Sequence, residues 1–155
     1  MVDINIRKAK GKDAETLAAV YHSAYQENRE LGFPAKAESV APDTVETWIE
    51  VDHVYVAEND SKIIGVVRLS ETDPERIKLS RLAVDEEWKG NGIGSRLVEH
   101  AEQVAHTEDE TTVWLTTPEE HPYLPEFYRS RGYEKTGEYP LEYRDYDEII
   151  LEKQV

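Results

Sequence analysis

Apolar and polar positions alternate over residues 2–8, with Ile4 and Ile6 on one side, and this period of two predicts a strand. The period then lengthens. Leu17, Val20, Tyr21, Ala24 and Tyr25 recur every three or four positions, which predicts a helix facing a core. Asp13 falls in its first turn, where negative charge is favoured, and Leu31-Gly32-Phe33-Pro34 stops it. After a loop over residues 32–41, Pro42 starts a second helix with Val45, Trp48 and Ile49 inward. Strands over 54–57 and 62–69, joined by Asn59-Asp60-Ser61, form an antiparallel hairpin. A polar link over 71–75 leads to a fourth strand over 76–84. Ile93, Leu97, Val98, Ala101, Val104 and Ala105 then mark the apolar stripe of a third helix, with Arg96, Glu99, Glu102 and Gln103 facing water. A fifth strand over 111–116, a loop over 118–122, a short helix over 124–131 closed by Gly132, and strands over 133–139 and 146–151 complete the order. The expectation is an α/β (α+β) fold in one domain over residues 1–155. Its sheet is mixed and mostly antiparallel, antiparallel in the middle, with about seven strands and about four helices on both faces.

Composition narrows the chemistry. No apolar run of about 18 residues is present to span a membrane. The first residues lack the charged and apolar regions of a secretory signal. With no cysteine there is no disulfide, thiolate metal site or cysteine nucleophile, which fits a cytoplasmic protein. His22, His53, His100 and His106 show no ligand spacing, so no metal is expected. A net charge of −15 disfavours nucleic acid, which is bound mainly through Lys and Arg. Acidic runs such as Asp85-Glu86-Glu87 and Glu108-Asp109-Glu110 read first as solvated turns. The acidity could also steer a cationic substrate, or suit a high-salt cytoplasm where repulsion is screened.

The candidate site is the glycine loop between the fourth strand and third helix, Lys89-Gly90-Asn91-Gly92-Ile93-Gly94-Ser95. Backbone N–H groups at a helix N-terminus lack intrahelical partners and lie at the positive end of the dipole, so they suit a phosphate. Glycines at 90, 92 and 94 permit positive φ and close backbone approach. A Walker A loop is excluded, because the lysine precedes the glycines and Gly94 is followed by Ser95-Arg96. A dinucleotide fingerprint fits poorly: the third glycine is one residue early and no parallel βαβ unit precedes it. A plain strand-to-helix connection using glycine for geometry alone stays open on the loop by itself.

The flanks resolve that choice. Leu82-Ala83-Val84, then Lys89 to Gly94, resembles the Gln/Arg-x-x-Gly-x-Gly/Ala loop of the GNAT superfamily of N-acetyltransferases, which move acetyl from acetyl-CoA to an amine. Phe127-Tyr128, on a short helix ending in Gly132-Tyr133, is similar to the family's second signature. The resemblance implies a GNAT fold over nearly the whole chain, with acetyl-CoA as co-substrate. It implies that Gly90, Asn91, Gly92, Ile93, Gly94 and Ser95 hold the pyrophosphate, while the backbone of Leu82, Ala83 and Val84 pairs with the pantetheine amides. Lys89 departs from the family's Gln or Arg and keeps the charge without the planar fork. Ala83 or Val84 would donate to the thioester oxygen.

Transfer requires a neutral amine and an acid for the leaving thiolate. Tyr128 matches the family's acid position, and could otherwise be a packing tyrosine. Many relatives use a base Glu on the fourth strand, or a water relay; here residues 76–84 hold no carboxylate, and the inner positions are Lys78, Ser80 and Arg81. Glu71, Asp73 and His121 are the remaining candidates, although a loop histidine beside Glu119-Glu120 and Pro122 is normally exposed. The acceptor pocket should draw on the first two helices, residues 32–41, the 71–75 turn and the last hairpin, where Tyr25, Glu30, Phe33 and Tyr143 could line it. The acceptor would be the amine of a small molecule or peptide, with no nucleic acid or membrane partner. A homodimer through the last hairpin or a strand edge is open. The missing carboxylate also admits a second class of function, an acetyl-CoA-binding module without turnover.

Overall fold

The computed structural model describes residues 3–141 and 146–155. The elements are β1 (Asn5–Lys8), α1 (Ala14–Glu30), α2 (Pro42–Val51), β2 (His53–Asn59), β3 (Lys62–Asp73), β4 (Arg76–Val84), α3 (Ile93–Thr107), β5 (Thr112–Pro118), α4 (Leu124–Arg129), β6 (Glu134–Tyr139) and β7 (Glu148–Gln154). Short 3₁₀ turns lie at Gly11–Asp13, Lys36–Ser39 and Glu86–Trp88. One sheet of seven strands runs β1-β2-β3-β4-β5-β7-β6.

The expected order of elements is the observed one, with two corrections. β4 and β5 are parallel, so the single parallel pair lies near the centre of the sheet, where antiparallel pairing was expected. The third strand runs on to Asp73, so Glu71 and Asp73 belong to a strand rather than a polar link. Charged residues continue a strand there because Arg76 bonds Asp73 at 3.2 Å and His53 meets Glu71 at 3.4 Å along the ladder.

The strand period puts two different faces on the sheet. One face buries Leu69, Ile77, Leu79, Val113, Leu115, Ile149 and Leu151 against the α3 stripe and Tyr128 of α4. The other buries Val54, Val56, Val66 and Ala83 against α1 and α2. This second core draws on β2, β3 and β4 and reaches no residue of β5, β6 or β7, which leaves one face of that half without a helix. Gly65 on β3 brings α3 close: a Cβ there would lie 3.0 Å from both Ile93 Cγ2 and Leu97 Cδ1. Glu102, expected to face water, is half-buried and accepts hydrogen bonds from Tyr133 and Lys153, each at 2.9 Å. No helix among the described residues is long and apolar enough to cross a membrane.

Candidate active site

The site begins with a slip in register. Val66 faces Ala83, but Arg68 faces Ser80, so β4 carries one residue more than β3. The excess is absorbed around Arg81, whose φ is 51°. That left-handed conformation costs a non-glycine residue about 1–3 kcal/mol, and a bulge of this kind bends its strand. β5 follows β4 only through Arg76↔Thr112, Ile77↔Val113 and Lys78↔Trp114. It pairs instead with β7 along its length. The two strands splay, and residues 79–84 offer an edge without a ladder partner on the β5 side. The Asp85 N–H bonds Ile64 O on β3 at 2.8 Å. Antiparallel alternation then turns the Ala83 N–H toward β3 and the Val84 N–H toward the gap. Ala83 is therefore removed as an oxyanion donor.

A cleft of about 890 Å³ fills the splay and runs from the N-terminus of α3 to the uncovered face of β7. Leu82, Ala83, Val84, Lys89, Gly90, Gly92, Ile93, Gly94, Ser95 and Tyr128 all line it. Asn91 does not: its amide turns back and donates to Trp88 O at 3.0 Å. Gly90 and Gly92 have φ of 83° and 76°, and a Cβ on either would meet nothing within 4 Å. Their freedom serves the turn and keeps the space above it open. Gly92 caps α3 without a side-chain hydrogen bond, so the first N–H groups of the helix face the cleft.

Two cations stand at this end. Lys89 does not extend freely, because its ammonium pairs with Glu27 of α1 at 2.5 Å. Burial alone would push the Glu27 carboxyl up, but hydrogen bonds from Lys89 and Tyr123 outweigh it and hold it below the usual range. Arg131, which sequence reasoning missed, donates to the Ser95 hydroxyl and to Phe127 O, and stacks 3.8 Å from the Phe127 ring centre.

Tyr128 is 5% exposed and packs edge-on against Phe127 and Tyr133. Its hydroxyl has no hydrogen-bond partner among the described residues. Burial pushes its pKa well above the usual tyrosine range, so the phenol stays protonated.

The candidate bases fare differently. Glu71 and Asp73 lie outside the cleft, as do the rest of residues 71–75. His121 is buried rather than exposed. Its Nδ1 accepts from the N–H groups of Tyr123 and Leu124 at 3.3 and 3.2 Å, and its Nε2 meets Asn28 Oδ1 at 3.0 Å. With both nitrogens engaged it fixes the start of α4 and is not free to take a proton. Tyr25 and Phe33 line the cleft, Glu30 does not, and Tyr143 lies outside the described residues. Among the described residues, the acidic side chains on the cleft wall are those of Glu27 and Glu148. Glu148 was missed, although Ile149 and Leu151 facing the core place it on the opposite face by period two.

Known proteins match this arrangement. The acetyltransferase (GNAT) domain family matches residues 50–135. The S-(2-succino)cysteine N-acetyltransferase of Bacillus subtilis is 32% identical over 143 residues, 87% of each chain. The chain belongs to the GNAT acetyltransferase family. The S-alkylcysteine N-acetyltransferase of the same organism is 31% identical over 143 residues, covering 86% of this chain and 80% of that one. Among solved structures, a ribosomal-protein-alanine N-acetyltransferase from Brucella melitensis has a TM-score of 0.81 at 20% identity, covering 97% of this chain and 99% of that one. The PaiA N-acetyltransferase of Thermoplasma acidophilum, in complex with coenzyme A, has a TM-score of 0.75 at 20% identity, covering 99% of this chain and 100% of that one. At that identity the structures speak for the fold. This GNAT chain is an acyltransferase, and GNAT acetyltransferases use acetyl-CoA.

Proposed function

We propose that this enzyme acetylates the primary amine of a small molecule by direct attack, with both substrates bound together, and that its coenzyme lies along the splay. One observation carries the reading. An open glycine cradle at a helix N-terminus, an unpartnered strand edge and a buried neutral phenol all line one continuous cleft. The residues fit the coenzyme: Gly90 to Ser95 offer N–H groups for a diphosphate, with Lys89 and Arg131 beside them, and the edge of Leu82 to Val84 offers amide partners to the pantetheine arm. Acetyl-CoA supplies the activated acetyl thioester.

The chain's own groups then have separate tasks. The Val84 N–H faces the position where negative charge grows on the thioester oxygen. Glu148, a carboxylate on the acceptor side, receives the amine proton directly or through water. Tyr128 donates a hydrogen bond, and a proton as it is needed, to the departing thiolate. A C–N bond forms, the C–S bond breaks, the amine loses one proton and the thiolate gains one. Two relatives are named for cysteine derivatives, which supports an acceptor of small-molecule size. The test is release of free thiol from acetyl-CoA across a panel of amines. Release above the amine-free background is expected with at least one class, and its absence from every amine would overturn the reading.

A further inference from the structure

The acceptor half of the cleft has a chemistry that catalysis does not require. It lies on the face of β5 and β7 that α1 and α2 leave uncovered, and three cations line it: Arg68, Lys78 and Arg81. The chain has 18 basic against 33 acidic side chains, so cations gathered in a cleft call for a reason. Arg68 is accounted for by Asp52, its Nη2 lying 2.6 Å from the carboxylate, and by Trp48, whose ring centre is 4.5 Å away.

Arg81 and Lys78 lack a carboxylate partner among the described residues, whereas Arg7, Arg76, Lys89, Lys135 and Lys153 each form an ion pair with one. The Arg81 Nε is buried without a hydrogen-bond partner. Its guanidinium carbon lies 5.7 Å from the Trp48 ring centre. The positive φ at the bulge is what aims this side chain. Lys78 is half-buried, its ammonium 5.0 Å and 5.9 Å from the ring centres of Trp114 and Tyr139. Glu148 acts on it across the cleft without closing an ion pair.

A half-buried cation with no carboxylate beside it loses part of its hydration without a counter-charge, and an anion brought by a ligand offsets that cost. A guanidinium beside an ammonium suits a carboxylate, the guanidinium offering a planar fork. Glu148, opposite, adds one negative charge, which would repel a phosphate dianion yet attract an ammonium.

We propose that the acceptor is an amino acid zwitterion, its carboxylate held by Arg81 and Lys78 and its ammonium turned toward Glu148. This rests on the transferase reading above and names its substrate class. The ammonium first gives one proton to Glu148, which passes it to solvent, and becomes the neutral nucleophile. As the C–N bond forms and the thioester C–S bond breaks, the nitrogen loses a second proton and the departing thiolate takes one from Tyr128. Water relays the second proton back to Tyr128, so that one proton is released per turnover. Arg81 and Lys78 hold substrate and take no part in bond exchange.

The experiment compares matched pairs on the wild-type enzyme: each natural L-amino acid beside the amine left when its carboxyl group is removed, for example L-methionine with 3-(methylthio)propylamine and L-phenylalanine with 2-phenylethylamine. Thiol release should favour the amino acid of an accepted pair by about a hundredfold or more in kcat/KM, since a site built around a bound charge discriminates strongly against its absence. Arg81→Gln and Lys78→Met should each collapse that ratio to below about tenfold, chiefly by raising KM for the amino acid, with the decarboxylated partner and the affinity for CoA unchanged. Equal or better turnover of the decarboxylated amines would overturn this proposal and leave the transferase reading standing. Absence of release from every amine would overturn both, and loss of CoA binding in calorimetry would show that the fault lies with the coenzyme site.

Discussion

Tyr128 is the residue at which packing and chemistry part company. A tyrosine kept only to fill the core could lose its oxygen without effect, and this hydroxyl has no partner to lose among the described residues. Tyr128→Phe should therefore leave the unfolding midpoint nearly unchanged while kcat falls about a hundredfold, within the usual range for a lost acid. Unchanged kcat would reduce Tyr128 to packing. Burial raises its pKa, so the phenol is protonated from neutral pH to at least the ordinary tyrosine value of about 10. No alkaline loss of rate below that point should be traceable to it. Glu27 makes the complementary case. Its carboxylate holds Lys89 at 2.5 Å and accepts from Tyr123, so it competes with any diphosphate for that ammonium. Glu27→Gln should tighten CoA binding by about three- to tenfold in dilute buffer, a gain that shrinks as salt screens the charge. Calorimetric titration over a salt series measures it, and weaker binding would mean that Glu27 positions Lys89 rather than restraining it.

At the scale of elements, the glycine-loop end of the cleft is set by α3, which rests on β3 with nothing between them at Gly65. Gly65→Val would force Ile93 and Leu97 outward, and overpacking of this kind costs about 1–3 kcal/mol. The first turn of α3, where the proposed diphosphate site lies, would move with them. A fall of about 3–10 °C in unfolding midpoint together with weaker CoA binding is expected. Gly11→Ala, where a Cβ meets nothing within 4 Å, should change neither. A Gly65→Val protein of normal midpoint and affinity would show that the close contact is not needed. The same contrast explains what could be read from the chain beforehand. The glycine loop, the α3 stripe and the Phe127-Tyr128 pair are local patterns, so they were legible. The splay of β5 from β4 depends on where β7 inserts, which no local period encodes. Lys89 meets Glu27, and His121 meets Asn28, only because the loops that lead into α3 and α4 border the same cleft as α1. Neither contact has a signature in its own segment. Arg81 is legible as an inner position of the fourth strand, but its left-handed conformation is not, because it belongs to a bulge whose register is set by β3.

For the whole molecule the outstanding quantity is a net charge of −15. The described cations are largely matched: Arg7 with Asp13 and Glu58, Arg76 with Asp73 and Glu152, and Lys135 with Glu119 and Glu138. The surplus acids have only each other. Burial and neighbouring acids push the Glu110 carboxyl up, a local sign of this repulsion. Two effects of salt then oppose one another. Screening weakens the ion pairs, but partly exposed pairs are worth only about 0–1 kcal/mol each. Screening also relieves repulsion among the unmatched acids. The folded chain has a radius of gyration of about 15 Å, against a Debye length of about 10 Å at 0.1 M and 3 Å at 1 M. Acids within about 10 Å of one another on this surface thus still repel in dilute buffer and largely cease to in concentrated salt. Relief should win, because folding brings every surplus charge closer together while only some pairs are formed by it. The unfolding midpoint should rise by several degrees between about 0.05 M and 1 M sodium chloride, a salt chosen to avoid the general stabilisation given by sulfate. A flat or falling midpoint would mean that the ion pairs outweigh the repulsion, and would remove any case for adaptation to a saline interior.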